Sequence, residues 1–172
     1  MEIRFVTPHL RHLDTVGGEV LACCMFDDER PVSGTAGLVD WRLAARLSRR
    51  IQEGHFQGLR GEVALIPGKP RLPFEKILLF GLGPKDEFDE EVFLEVVHHM
   101  LDTLSGLKVR MAVVERPGRH IDLVDALRGV DLILQACERY EDQDAWTLIE
   151  EVPEQKRIVQ HLTEERRRKR LR

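Results

Sequence analysis

At 172 residues, with 42% hydrophobic and 33% charged side chains, the chain suits one domain with a real core and carries no apolar run of membrane length. Its formal net charge is −4, yet Glu164 to Arg172 holds six Lys/Arg and two Glu, and that +4 leaves −8 for residues 1–163. An acidic body repels phosphate, which confines any nucleic-acid contact to the basic end. Cys23 and Cys24 are adjacent and Cys137 is remote, so there is no C-x-x-C pair and no even framework of the kind that staples secreted domains. The opening MEIRFVTPHLRHLD has neither a signal-peptide core nor an Arg/Ser-rich presequence, so the expected location is cytoplasmic, with no membrane partner.

Ile3 and Phe5 alternate with Glu2 and Arg4 as in an edge strand, which Pro8 ends. After Gly17-Gly18, the continuous apolar run Val20 to Phe26 predicts a strand buried on both faces. Ser33-Gly34-Thr35-Ala36-Gly37 reads as a small-residue loop. Leu43, Leu47 and Ile51 then recur every fourth residue, predicting a helix capped by Asp40 and ended at Gly54. Gly61 to Pro67 gives a short strand, turned by Gly68-Lys69-Pro70-Arg71 into a hairpin with Leu72 to Phe80. Ile77 to Phe80, unbroken and apolar between charges and glycines, marks the expected centre of the sheet.

Gly81-Leu82-Gly83-Pro84 breaks the chain, and Val92, Phe93, Val96, Val97, Met100, Leu101 and Leu104 then trace one face of a long helix ended by Ser105-Gly106. Val109, Met111, Val113 and Val114 form another strand, stopped by Pro117-Gly118. A helix follows from Ile121 to about Cys137, imperfect at Gly129, and Trp146 to Ile149 reads as a last strand. Glu154 to Arg172 predicts an exposed helix with a basic end. The alternation gives a three-layer α/β/α fold with a central mixed sheet, comprising residues 1–152, followed by a basic helix or tail over residues 153–172.

The pair Gly81 and Gly83 follows a strand and precedes a helix, as a dinucleotide-binding turn would. The third glycine position holds Asp86, however, and Pro84 stiffens the loop, so a tight structural turn is the better account. The loops after Phe26 and Phe80 still fall at carboxyl ends of neighbouring strands, where Asp27, Ser33, Gly34, Gly81 and Gly83 could line a crevice for a small ligand. His9-x-x-His12 and His98-His99 lack a metal-binding context, because adjacent helical residues point about 100° apart. Cys24 reads as a small core residue, and no G-x-S-x-G elbow surrounds Ser33. Arg166, Arg167, Arg168, Lys169 and Arg170 could touch phosphates, though no aromatic side chain is interleaved to stack on bases.

The stretch SGTAGLVDWRLAARLSRRIQEGHFQGLRGEVALIP, followed by LPFEKILLFGLG, resembles the amino-terminal domain of leucine (cytosol) aminopeptidases. The matching features are the acidic turn Asp27-Asp28, the Ser33 to Gly37 loop, Val39-Asp40, Gly54 with Phe56 and Gly58, Gly61-Glu62, and Gly81-Leu82-Gly83. The resemblance implies a macro-domain-related fold, which in that family precedes a catalytic domain holding two divalent metal ions. Metal-binding motifs of the types DSGG and NTDAEGR occur nowhere in these 172 residues, so the resemblance assigns no catalytic residue, metal site or cofactor. Macro domains often bind ADP-ribose, but this sequence contains no asparagine for an N-x-A-N strand end, and Gly17-Gly18 is not a G-G-G-V/I phosphate loop. The leading expectation is a stand-alone, non-catalytic relative of that domain, an interaction or regulatory module with a protein partner or a second copy. The alternatives are a small-ligand module for a nucleotide or an ADP-ribose-like molecule, and an accessory subunit of an aminopeptidase supplied in trans.

Overall fold

The computed structural model describes residues 1–170, the last two by their backbone alone. Its strands are β1 (Glu2–Val6), β2 (Gly18–Met25), β3 (Val63–Pro67), β4 (Phe74–Gly81), β5 (Met111–Val114) and β6 (Ala145–Ile149). Its helices are α1 (Leu10–Val16), α2 (Gly34–Arg42), α3 (Arg46–Gln52), α4 (Glu90–Gly106), α5 (Ala126–Cys137) and α6 (Val152–Arg170). One sheet runs in the order β1-β6-β5-β2-β4-β3, parallel throughout except for the β3–β4 hairpin. This is the three-layer α/β/α architecture with a mixed central sheet.

Strand β2 shows how the sequence builds the middle layer. Val20, Ala22 and Cys24 pack with α4 and α5, while Leu21, Cys23 and Met25 pack with Leu13 of α1, Ala36 and Val39 of α2 and Leu47 of α3. Side chains alternate across the pleat, so a strand covered on both faces must be apolar at every position. The same division holds in β4, with Leu78 and Phe80 on one side and Ile77 and Leu79 on the other. Strand β4 is nevertheless not the centre of the sheet. Burial on both faces marks any interior strand, and here the middle pair is β5 and β2, with β4 next to the edge strand β3.

The helical expectations are corrected at several points. The single helix expected from Asp40 to Gly54 is two helices, and α2 starts at Gly34, inside the stretch read as a loop. Ala44 and Ala45 break the helix by adopting left-handed φ values of 54° and 60°. Asp40 does cap a helix, but from within α2. Its Oδ1 accepts hydrogen bonds from the backbone N–H of Leu47 (2.8 Å) and Ser48 (3.1 Å), closing the start of α3 across the break. Helix α1 was not foreseen, since a seven-residue helix with one buried residue, Leu13, gives no periodic signal.

Helix α5 begins at Ala126 rather than Ile121, because the Asp125 carboxylate caps it by accepting from Leu127 N–H at 2.9 Å. Helix α6, expected as exposed, is anchored through the fully buried Ile158, and His161 bonds to Asp131 of α5 at 2.8 Å. Among the described residues no helix is long and apolar enough to cross a membrane, and no group of three or more His, Cys, Asp or Glu is arranged to hold a metal ion.

Candidate functional site

Strands β2 and β5 lie side by side, and the chain leaves their carboxyl ends in opposite directions. After β2 it passes through α2 and α3 toward β3 and β4; after β5 it passes through α5 to β6. Such a switch point opens a crevice in a doubly wound sheet. Here the crevice is filled by the chain's own charges. Glu115 follows β5 directly, its N–H donating to the Ala22 carbonyl at 2.8 Å, and its carboxylate is fully buried. One oxygen accepts from Cys24 N–H of β2 at 3.2 Å, and the other accepts from Thr35 N–H in the first turn of α2, also at 3.2 Å.

The residue preceding α2, Ser33, leaves its side chain out of the cap and donates its hydroxyl to Glu29 instead. Glu115 therefore satisfies the amide that a local cap would have taken, where the positive end of the helix favours a negative group. Arg119 Nη2 lies 3.5 Å from the same carboxylate. Gly34, at φ 60°, makes this closure possible: a Cβ there would stand 3.0 Å from the His120 ring and 3.2 Å from Glu115 Oε1.

A second buried carboxylate, Glu29, adjoins the first. Its Oε1 is bonded by Ser33 Oγ, lies 2.8 Å from His120 Nε2 and 3.7 Å from Lys85 Nζ. Burial pushes the Glu29 carboxyl up, but the hydrogen bonds from Ser33 and His120 and the charges of His120 and Lys85 outweigh it and hold the group below the usual carboxylate range. Lys85 also lies over the Phe26 ring, 5.8 Å from its centroid.

Behind these groups Arg116, almost wholly buried, donates to Glu150 at 2.8 Å and to the Val124 carbonyl, and meets Asp122 at 3.3 Å, tying the loop after β5 to the end of β6. Glu150 is raised above the ordinary carboxylate value by burial, against the pull of Arg116. Beside the crevice, a cavity of about 670 Å³ opens between the loop after β2 and α3, lined by Asp27, Arg30, Ser48, Gln52 and Gln57 among others.

A family model described as "Cytosol aminopeptidase family, N-terminal domain" matches residues 21–140. The chain belongs to that family. A probable cytosol aminopeptidase of Thermosynechococcus vestitus is 29% identical over 139 residues, covering 77% of this chain and 28% of the relative. One from Ralstonia nicotianae is 30% identical over 117 residues, covering 66% and 23%. The chain thus spans about a quarter of the length of these curated relatives. Among solved structures, the macrodomain of Mycobacterium tuberculosis DarG superposes with a TM-score of 0.67 at 13% identity, covering 87% of this chain and 98% of its own. A tomato leucine aminopeptidase does so with 0.62 at 14% identity, covering 94% of this chain and 35% of its own. At these identities the likeness is one of fold.

Within this macrodomain-like member of the cytosol aminopeptidase N-terminal family, the residues expected at a ligand crevice have different surroundings. Asp27 lines the 670 Å³ cavity, and its N–H donates to the Gly83 carbonyl at 3.1 Å. Ser33 and Gly34 belong to the carboxylate cluster. Gly81 is a packing position, where a Cβ would come within 2.0 Å of the Leu59 carbonyl oxygen. Arg166, Arg167 and Arg168 are exposed on α6, with Arg168 bonded to Glu165 at 2.7 Å, while the side chains of Lys169 and Arg170, like residues 171–172, lie outside the described residues.

Sequence reasoning missed Glu29, Thr35, Lys85, Glu115, Arg119 and His120. One signal was present, since Glu115-Arg116 sets two charges directly after an apolar strand, at the carboxyl end where ligands of such sheets bind. Cys24, expected in the core, is there, and its thiol is pushed well above the ordinary value by burial and by Glu115.

Proposed function

We propose that this chain is a binding module acting through its surface, with its carboxyl-end crevice closed to anionic ligands and supplying no catalytic group. One observation carries the reading: the Glu115 carboxylate fills the amide cradle between Cys24 and Thr35. A phosphate approaching those amides meets two buried carboxylates, Glu115 and Glu29, and must displace an ion already bonded there. The relatives are named as probable cytosol aminopeptidases, and the matched quarter of their length would serve them as an interaction or regulatory part rather than a peptidase. Calorimetric titration of the full chain with ADP-ribose and with phosphate, each to about 1 mM, is expected to give no binding heat; micromolar binding of either would overturn the reading. Leucine p-nitroanilide is expected to remain uncut with added manganese or zinc.

A second reading, a module for a small polar ligand, is favoured by the clustering of unpaired buried atoms. Glu29 Oε2, Thr35 Oγ1, Arg119 Nε and His120 Nδ1 make no hydrogen bond, and all four belong to the crevice. Buried polar atoms normally find partners. The same titration extended to neutral and cationic nucleosides separates this reading from the first.

A further inference from the structure

We propose that the outer edge of β3 is a docking strip for an extended peptide segment in which acidic and apolar residues alternate, a partner chemistry that rests on the reading of the chain as a binding module. The backbone sets the register. Gly81 N–H donates to the Glu62 carbonyl at 3.0 Å and Gly68 N–H to the Glu75 carbonyl at 3.2 Å, so residues 62, 64, 66 and 68 are the ones bonded to β4. By the alternation of an antiparallel ladder, Val63 and Leu65 turn both N–H and C=O outward. Pro67 falls on the same outward register and offers only a carbonyl, which ends the strip. Edges of this kind are usually blunted by charge within the strand, yet Val63 is 40% and Leu65 52% exposed.

The charge sits one layer away, on α3. Its sequence RLSRRIQ carries three arginines and no acid. Arg46, Arg49 and Arg50, with the single acid Glu53 and with Leu65, Ile66 and Pro67, line a cavity of about 430 Å³, three positive charges against one negative. A second, of about 280 Å³, shares Arg50, Leu65 and Ile66 and adds Val63 and Ala64, so the two form one groove along the strand. Among the described residues only Arg50 of the three has a carboxylate neighbour, Glu53 at 3.5 Å.

The two faces of an added strand would meet different surfaces. Ala64 and Ile66 face α3, packing with Leu47 and Ile51, so incoming side chains on that face lie beside the arginines and are acidic. Those on the opposite face lie beside Val63 and Leu65 and are apolar. The net negative charge of the body does not reverse this preference, because charges beyond about 8 Å are largely screened at physiological salt. A second copy is a poor occupant, since pairing β3 with β3 brings two arginine-bearing helices to one groove.

The test is fluorescence polarisation of the labelled peptide EVEVEVEV against the full chain, with KVKVKVKV as control. Saturable binding of the acidic peptide is expected, about tenfold tighter than the basic one and weakening about fivefold between roughly 50 and 300 mM salt. The double substitution Arg46→Glu and Arg49→Glu, at exposed positions, is expected to weaken binding about tenfold. Leu65→Pro removes one outward N–H, spares the bonds to β4, and is expected to do the same. Equal binding of both peptides, no binding at about 1 mM, or unchanged binding by the arginine variant would overturn the proposal, as would a dimer held through β3. The ADP-ribose titration does not involve this edge. A failed peptide assay with that titration silent therefore refutes the strip alone, while a positive nucleotide titration refutes the underlying reading.

Discussion

Removing the Glu115 carboxylate tests how the crevice is held. In Glu115→Gln the shape is kept, but one acceptor becomes an N–H₂ group facing either Cys24 N–H or Thr35 N–H, each bonded at 3.2 Å in the native protein. One buried donor left unsatisfied costs about 2 kcal/mol. In Glu115→Ala both amides lose their partner, and Arg119, mostly buried, loses its counter-charge, for a cost of about 4 kcal/mol. In a chain of this size each kcal/mol lowers Tm by about 2–4 °C, giving a drop of about 4–8 °C for Gln and about twice that for Ala.

Scanning calorimetry measures the shift, and hydrogen exchange at the Cys24 and Thr35 amides localises it. With the carboxylate gone, the vacated amides become free to take an anion, so about 1 mM ADP-ribose is expected to raise the Tm of Glu115→Ala and leave the wild type unmoved. A Tm for Glu115→Ala within about 2 °C of wild type, with unchanged exchange at both amides, would refute the reasoning.

Further outcomes follow from the same packing. Gly129→Ala would ordinarily stabilise a helix by about 1 kcal/mol, but the new Cβ would stand 2.6 Å from Arg116 Cδ, whose guanidinium is held at three points, so a lower Tm is expected and a higher one would show that Arg116 gives way. The folded state holds the Glu29 carboxyl below its unfolded value, so its contribution is complete above the unfolded carboxylate range and is lost as pH falls through the folded value. Melting curves of Glu29→Gln should therefore lose less Tm than wild type on acidification below about pH 4.5; parallel curves would contradict the assignment. Burial pushes the Cys23 and Cys24 thiols well up and Cys137 to about 12, so a thiol reagent at about pH 8 is expected to label none rapidly in the native protein and all three in guanidinium.

What could be read from residues alone was whatever rests on periodicity. The apolar runs of β2 and β4 and the Val92 to Leu104 stripe of α4 announce themselves because both faces of a strand, or one face of a long helix, must be apolar. Helices α1 and α2 escaped because seven and nine residues with glycine or few buried positions give no stripe. The site was less legible for a different reason. Glu29 and His120 lie 91 positions apart, and Glu115 and Thr35 lie 80 apart, so no local spacing records that they touch. Among the glycines singled out as ligand-binding, Gly81 is a position of close chain approach, as the Leu59 carbonyl against it shows.

The capping of α2 by the residue just after β5 also has a kinetic meaning. The first turn of that helix is completed by a carboxylate 80 positions away, so it is expected to form together with the long-range contacts of the sheet. On this account a nascent chain that has not yet emerged past residue 115 holds α2 with a frayed start, and the two halves of the molecule lock together in one step, when β5 docks on β2 and brings its acid with it.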